Sequence, residues 1–150
     1  MSKILIEKAN EADIFEFLDA DWQRLFAASE CAPFLSREWI AAWHAKLGTD
    51  REIYILKASQ NHHLIGILPL CLETKKILGM TFRRLGFLGA EIGGADYLDL
   101  IASDADKAGI WAQVFEFLRD QKDFDSITLE NLAQNFYIAQ FFRFAIKGFN

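Results

Sequence analysis

Glycine density constrains the middle of this chain more than any other feature. Four glycines, Gly86, Gly89, Gly93 and Gly94, stand between two apolar runs. Because glycine takes positive φ without steric cost, this segment predicts a sharply turning backbone or a close approach to another part of the molecule. The next residues, 97–101, predict a short strand with alternating sides. We therefore expect the rim of a cleft at this place.

Three polar residues at this rim are candidates for substrate binding. In the predicted strand Tyr97 and Asp99 point to one side, and Leu98 and Leu100 point to the other. A carboxylate of Asp96 or Asp99 could take a proton from an incoming amine, and the Tyr97 hydroxyl could orient a sugar. The alternative is structural: Asp96 ends the glycine loop, Tyr97 packs, and Asp99 pairs with a nearby cation.

Two tryptophans form a second candidate surface. Trp39 and Trp43 are four residues apart in a predicted helix that Ser36 caps and Gly48 ends, so they are neighbours on one side of it. Large aromatic side chains could stack on a sugar ring or close one side of a groove. The alternative is that both tryptophans belong to the core.

The remaining pattern predicts an α+β fold, with helices packed on a mixed, mostly antiparallel sheet. Apolar periodicity and turn residues divide the chain into alternating elements. In chain order these are a strand at 4–6, helices at 10–29 and 36–47, strands at 52–59, 64–72 and 81–87, the strand at 97–101, a helix at 105–121, a strand at 125–131 and a helix from Gln134.

Three segments, in this order, resemble one family. They are Pro33–Trp39 continuing to Trp43, Leu64–Leu70, and Leu85–Leu100. Together they resemble the N-terminal half of the CelD-like acetyltransferases, which are linked to cellulose biosynthesis and form a branch of the GNAT superfamily with two GNAT-like halves in tandem. The resemblance runs from about Trp22 to Leu132. It implies that residues 1–150 form a single GNAT-like (acyl-CoA N-acyltransferase) domain that lacks the last strands, as the N-terminal half of a tandem protein.

The resemblance also implies acyl transfer from acetyl-CoA or another acyl-CoA to an amine or a saccharide-linked acceptor. GNAT enzymes hold the coenzyme between splayed central strands, with its pyrophosphate on a signature Arg/Gln-x-x-Gly-x-Gly/Ala at a helix N-terminus. Here the run from Arg83 puts Leu88 at the last position, which needs a small residue. Residues 101–104, before the predicted helix, contain no glycine, and the Asp104 carboxylate would repel phosphate.

This half is therefore expected to contribute the acceptor groove, to bind no cofactor and to be inactive alone. No catalytic residue is assigned. The alternative function is a non-catalytic interaction or dimerisation module with a degenerate GNAT fold.

The aromatic composition of the last predicted helix indicates that a partner packs on it. Aromatic side chains surround the predicted last helix almost completely, and such a helix is normally buried on several sides. We expect a second GNAT-like half, or a homodimer partner, to pack on it. The aromatic residues concerned include Phe136, Phe141, Phe142 and Phe144.

Composition excludes several classes of protein. A formal charge of −5 and a pI near 5.2 oppose a nucleic-acid surface. No signal peptide and no apolar run of the ~20 residues that span a bilayer is visible, so we expect a cytoplasmic chain without a membrane span. Cys31, Cys71 and the pair His62-His63 show no metal-ligand spacing, so no metal is predicted.

One basic segment stands out in this acidic chain. Lys75, Lys76, Arg83 and Arg84 could meet across a hairpin and attract an anion. The alternative is a solvated hairpin end.

Overall fold

The computed structural model describes residues 2–9, 19–90 and 93–133. Its elements follow the predicted order closely, with shorter strands near the end of the described part. They are β1 (Leu5–Lys8), α1 (Asp19–Ala27), a 3₁₀ turn (Pro33–Leu35), α2 (Arg37–Lys46), β2 (Glu52–Gln60), β3 (His63–Ile77), β4 (Met80–Phe87), β5 (Ile101–Ala102), α3 (Asp104–Arg119) and β6 (Ser126–Ile127).

The strands form one mixed sheet in the order β1-β2-β3-β4-β6, and β5 also pairs with β3. Among the described strands all pairings are antiparallel except the one between β4 and β6, and an isolated parallel bridge joins Leu98 and Leu132. The predicted α+β architecture with a mostly antiparallel sheet is therefore confirmed. None of the helices in the described ranges is long and apolar enough to cross a bilayer.

Two tight turns set the register of the central strands. Asn61 and His62 both have positive φ and connect β2 to β3, while Leu78 and Gly79 do the same between β3 and β4. Positive φ at both central residues is the type I′ geometry, whose twist matches that of the flanking strands. The polar residues Asn61 and His62 are typical of such a turn between the strands predicted at 52–59 and 64–72.

β3 is the central strand and is covered on both faces. Every residue from Gly66 to Leu72 is buried, as the continuous apolar run predicts. Pro69 cannot donate a ladder hydrogen bond, and on one edge of β3 it lies between two pairings: β4 ends opposite Leu70, and β5 begins opposite Ile67. The change of partner at this point explains how a central strand accommodates a proline.

The helices begin at capping residues. Ser36 Oγ accepts a hydrogen bond from the Trp39 N–H at 3.3 Å, which confirms the predicted cap of α2. α3 begins at Asp104, close to the predicted start at 105. The Ser103 hydroxyl before it donates to the Asp106 carboxylate at 2.6 Å and makes no side-chain bond to the helix backbone.

The core joins both kinds of element. Trp22 of α1 is fully buried, and its Nε1–H donates to the Leu35 carbonyl at 2.9 Å. Among the largest fully buried side chains are Trp22, Leu35, Ile40, Tyr54, Ile55, Leu70 and Trp111.

Two predicted strands are wrong in extent. The strand predicted at 97–101 is limited to Ile101–Ala102, because Tyr97 has φ 56°, which no extended strand accommodates. The strand predicted at 125–131 is limited to Ser126–Ile127, and Asn131 has φ 55°. The first turns of the helix predicted at 10–29, the last helix from Gln134 and the expected absence of further strands concern parts of the chain outside the described residues.

Candidate functional site

The glycine-rich segment interrupts the edge of the sheet. After Phe87 the chain leaves β3, and it returns to the same edge at Ile101. We call residues 88–100 the excursion; residues 91 and 92 within it are outside the described part. Gly89 is at φ 88°, and a Cβ there would lie 2.6 Å from the Trp39 ring. The prediction of sharply turning, closely packed backbone is therefore confirmed.

A single asparagine fastens the excursion to the chain that follows β6. The Asn131 side-chain amide donates to the carbonyls of Ala90 and Ala95, both at 2.9 Å. The backbone adds bonds from Leu98 N–H to the Asn131 carbonyl at 2.8 Å and from Ala133 N–H to the Leu98 carbonyl at 2.9 Å. Asn131 was not singled out from the sequence, although asparagine is one of the few residues that tolerate its positive φ.

The pairing between β4 and β6 ends where this contact begins. β4 and β6 pair at Arg84 and Leu85, and Thr128 N–H donates to the Leu85 carbonyl at 2.9 Å. At Gly86 an added Cβ would lie 3.1 Å from the Thr128 carbonyl oxygen. Beyond this point residues 131–133 no longer bond to β4. They bond to the excursion instead.

The three polar residues predicted at the rim have different environments. Asp96 and Tyr97 are exposed, Tyr97 to 59%, whereas Asp99 is 3% exposed. The strand alternation that was expected here is absent, because Tyr97 has a left-handed backbone with φ 56°, but Tyr97 and Asp99 still line one pocket. Their role in substrate binding stays a prediction.

Asp99 forms a buried ion pair with Lys107 of α3. Lys107 Nζ lies 2.8 Å from Asp99 Oδ2, and Asp99 Oδ1 accepts the Leu100 N–H at 2.7 Å. Burial tends to lower the pKa of Lys107, but the hydrogen bond and negative charge of Asp99 outweigh it and raise that pKa. Lys107 is thus held charged. The structure therefore agrees with the alternative stated for Asp99, namely that it pairs with a nearby cation.

The N-terminus of α3 carries negative charge. Asp104 and Asp106 lie in its first turn, and Asp104 Oδ1 is 3.4 Å from Lys107 Nζ. A helix N-terminus attracts anions through its free N–H groups, but carboxylates already supply negative charge here. This end of α3 is therefore electrostatically unsuited to a pyrophosphate.

The two tryptophans of α2 pack largely inside the protein. Trp43 is 5% exposed, and Trp39 is half-buried with its ring edge-to-face on Phe34, the ring centroids 5.4 Å apart. Trp43 nevertheless contributes to the wall of a cleft that residues of β3 and β4 also line. Trp39 lies instead against the glycine turn at Gly89.

The cleft beside Trp43 has a charged wall that was not predicted. Glu73 of β3 lies opposite Arg84 of β4, with Oε2 at 2.7 Å from Arg84 Nη2, and its Oε1 is 3.0 Å from Arg51 Nη2. Burial would raise the pKa of Glu73, but hydrogen bonds from Arg84 and Lys75 outweigh it and lower that pKa. The full lining comprises Trp43, Arg51, Cys71, Glu73, Arg84, Gly86, Phe87, Ala90, Thr128 and Glu130.

A second pocket contains two of the other predicted residues, whereas Asp96 and Trp39 line neither pocket. Tyr97 and Asp99 line it together with Glu30, Cys31, Ala32 and Ala133. The structure therefore does not bring Tyr97 and Asp99 together with Trp43. The hairpin register could have revealed the charged wall, since it fixes Glu73 opposite Arg84 once the turn at Leu78-Gly79 is known.

The two cysteines offer no nucleophile. Burial is the main cause that raises the pKa of Cys31, and it raises the pKa of Cys71 to about 11. Both thiols are therefore protonated at neutral pH. Within the described ranges, no group of three or more histidine, cysteine, aspartate or glutamate side chains could hold a metal ion.

Comparison with known proteins gives a fold and no family. No family model matches the chain, and no curated protein is detectably similar to it. Among solved structures it is similar to an aminoglycoside acetyltransferase from an uncultured soil metagenomic sample (15% identity, TM-score 0.52, 95% of this chain and 86% of that chain). It is also similar to a ribosomal-protein-alanine N-acetyltransferase from Brucella melitensis biovar Abortus 2308 (15%, 0.52, 94% and 90%). A third is a transcriptional regulator from Bacillus halodurans C-125 (12%, 0.51, 98% and 93%).

These likenesses confirm the predicted GNAT acyl-CoA N-acyltransferase fold. Fold alone does not establish an activity. The closer resemblance to CelD-like proteins stays a prediction.

Proposed function

We propose that this chain is a GNAT-fold acyltransferase module, the N-terminal half of a tandem protein, that shapes the acceptor groove and leaves the acyl-CoA to a second half. The observation that carries this proposal is the excursion. In the GNAT fold the coenzyme lies between central strands where they diverge. Here residues 131–133 already form hydrogen bonds to the excursion. Their backbone bonds to Leu98, and the Asn131 side chain bonds to the carbonyls of Ala90 and Ala95.

The carboxylates at the start of α3 support the same division of labour. Asp104 and Asp106 stand where a coenzyme-binding GNAT domain would present free backbone N–H groups to a pyrophosphate. In the proposed arrangement acetyl-CoA or another acyl-CoA binds to a second GNAT-like half, or to a homodimer partner, that docks through the aromatic segment containing Phe136 and Phe141.

The cleft beside Trp43 suits the amine or hydroxyl end of an acceptor. Its volume is only about 20 Å³, against about 310 Å³ for the pocket of Tyr97 and Asp99, so the body of the acceptor would lie outside it. Glu130 is exposed among the residues that line the cleft and has no ion-pair partner among the described residues, so its carboxylate can bind an ammonium group. The Thr128 hydroxyl can donate to or accept from a sugar hydroxyl. We therefore prefer this cleft for the reacting end of the acceptor because of its charge, although the pocket of Tyr97 and Asp99 is larger.

Titration of the chain with glucosamine tests this assignment. We expect amide chemical-shift changes at Gly86, Ala90, Thr128 and Glu130, and binding about tenfold weaker in Glu130→Gln, since one charge-assisted hydrogen bond is lost. Glu116→Gln, at an exposed site on α3, is the matched control and should bind normally. Shifts confined to Tyr97 and Cys31, or no shifts at all, would contradict the assignment.

A non-catalytic interaction module with a degenerate GNAT fold is the second candidate, and the acidic start of α3 is compatible with it too. The coding sequence beyond Asn150 separates the two. A following Arg/Gln-x-x-Gly-x-Gly/Ala loop supports the acyltransferase half. Its absence, together with self-association seen by light scattering and no glucosamine binding, supports the interaction module.

A further inference from the structure

The turn between β3 and β4 ends a two-stranded arm that projects from the sheet. Pairing of β2 with β3 ends at Leu72, and pairing of β6 with β4 is limited to Arg84 and Leu85. Residues 74–83, which we call the hairpin arm, therefore form strand pairings only with each other, and Arg83 at the base of the arm also bonds to Asp125. Two isolated strands are marginally stable in water, so such an arm gains from a surface that covers it.

One face and the tip of the hairpin arm are apolar. Ile77 lies opposite Met80, and Phe82 lies on the same face. Their exposed fractions are 52%, 58% and 42%, and Leu78 at the tip is 94% exposed. Leu78 has φ 51°, a backbone conformation that is costly for a bulky side chain. A leucine at an exposed turn position that favours glycine or asparagine suggests a contact for its side chain.

The charges of the hairpin arm are all positive. Lys75, Lys76 and Arg83 lie in residues 74–83, which contain no carboxylate, although the chain as a whole carries −5. Lys76 and Arg83 stand on the face opposite the apolar one, while Lys75 flanks Phe82. Lys75 also bonds to Glu73 at the base of the hairpin arm, at 3.3 Å. The hairpin arm thus combines an apolar tip with a cationic rim.

We propose that the hairpin arm docks onto an anionic lipid surface, with Leu78, Ile77 and Met80 at the boundary between headgroups and acyl chains. Apolar side chains bordered by lysine and arginine are the composition that binds this boundary, and each cation near an anionic surface adds attraction. A second copy of the chain is a poorer occupant, because two hairpin arms would bring like charges together. Lysine is also depleted in protein–protein interfaces.

Vesicle sedimentation tests the proposal. The probes are vesicles of phosphatidylcholine and phosphatidylglycerol at about 3:1, a composition that gives a negative surface, and vesicles of phosphatidylcholine alone. We expect binding to the anionic vesicles that weakens with added salt, and at least tenfold weaker binding to the neutral ones. Lys75→Gln/Lys76→Gln should weaken anionic binding more than tenfold, at about fivefold per lysine.

Leu78→Asn separates insertion from charge attraction, because it removes the apolar side chain without changing the net charge. Leu78 is almost fully exposed and asparagine tolerates its positive φ, so the variant should keep its thermal unfolding midpoint while losing most vesicle binding. Leu5→Asn is the control, since Leu5 is 54% exposed on β1, away from the hairpin arm. Equal binding to both vesicle types, no binding, or unchanged binding by Leu78→Asn would overturn the proposal. So would a dimer in light scattering that Leu78→Asn dissolves, which would assign the tip to a protein contact.

Discussion

Replacement of Asp99 by asparagine should lower the free energy of unfolding by about 3 kcal/mol, because it leaves a buried ammonium without its counter-charge. The side chains of Lys107 and Asp99 are 5% and 4% exposed, and their atoms are 2.8 Å apart. In the variant the nearest carboxylate to Lys107 is that of Asp104, at 3.4 Å and largely in solvent. Urea denaturation followed by circular dichroism measures the loss.

Two controls isolate the buried charge as the cause. Asp104→Asn removes an exposed carboxylate near the same lysine and should change the free energy of unfolding by less than about 0.5 kcal/mol. Asp99→Leu/Lys107→Met removes both charges and should recover most of the loss, since an apolar pair can replace a buried ion pair. A loss below about 1 kcal/mol in Asp99→Asn would show that the pair is hydrated and is not buried as described.

Replacement of Gly89 by alanine should also be costly, by about 3 kcal/mol, from two causes that add. A left-handed backbone disfavours any Cβ by about 1–2 kcal/mol. At Gly89 the new Cβ would also lie 2.6 Å from the Trp39 ring and 3.4 Å from the Ala95 Cβ, and such overpacking costs about 1–3 kcal/mol more. The same denaturation experiment measures the sum.

Gly94→Ala is the matched control for the backbone cause. Gly94 lies in the same excursion at φ 68°, and no atom of the described residues stands within 4 Å of the position of its Cβ. We expect a loss of only about 1–2 kcal/mol there, from the left-handed conformation alone. Equal losses at the two glycines would mean that Trp39 does not pack on the turn at Gly89.

Elements set by local chemistry could be predicted from the sequence. The Ser36 cap, the turn at Asn61-His62 and the buried run of β3 all depend on neighbouring residues. Propensity, capping and apolar periodicity act over a few residues, so a single sequence contains them. The order of elements, and with it the α+β architecture, followed from these, whereas the GNAT fold was implied by the family resemblance.

The excursion shows where such reasoning fails. The alternation from Tyr97 to Leu100 is typical of a strand, but distant residues decide the backbone there. Asn131 holds the carbonyls of Ala90 and Ala95, and Lys107 draws the Asp99 carboxylate inward. Tertiary contacts of this kind override a weak local strand preference, and no pattern along the chain reports them.

The charged wall of the cleft was missed for a related reason. Glu73 lies in β3, Arg84 lies in β4 and Arg51 immediately precedes β2. The register of these strands brings the three side chains together. The sequence showed the cations of the hairpin as a patch. Glu73 pairs with Arg84 at the base of the hairpin, so Arg84 is no longer part of the patch. The cations of the hairpin arm remain as a basic surface, including Lys75, which bonds to Glu73 but is still 57% exposed.

We propose that the chain fills with its own excursion the place where a GNAT domain holds its coenzyme. Calorimetric titration of the chain with acetyl-CoA measures whether that place is open. We expect no saturable binding, with any dissociation constant weaker than about 1 mM. A dissociation constant in the mid-micromolar range or below would contradict it, because the excursion would then have to leave residues 131–133 to admit the ligand.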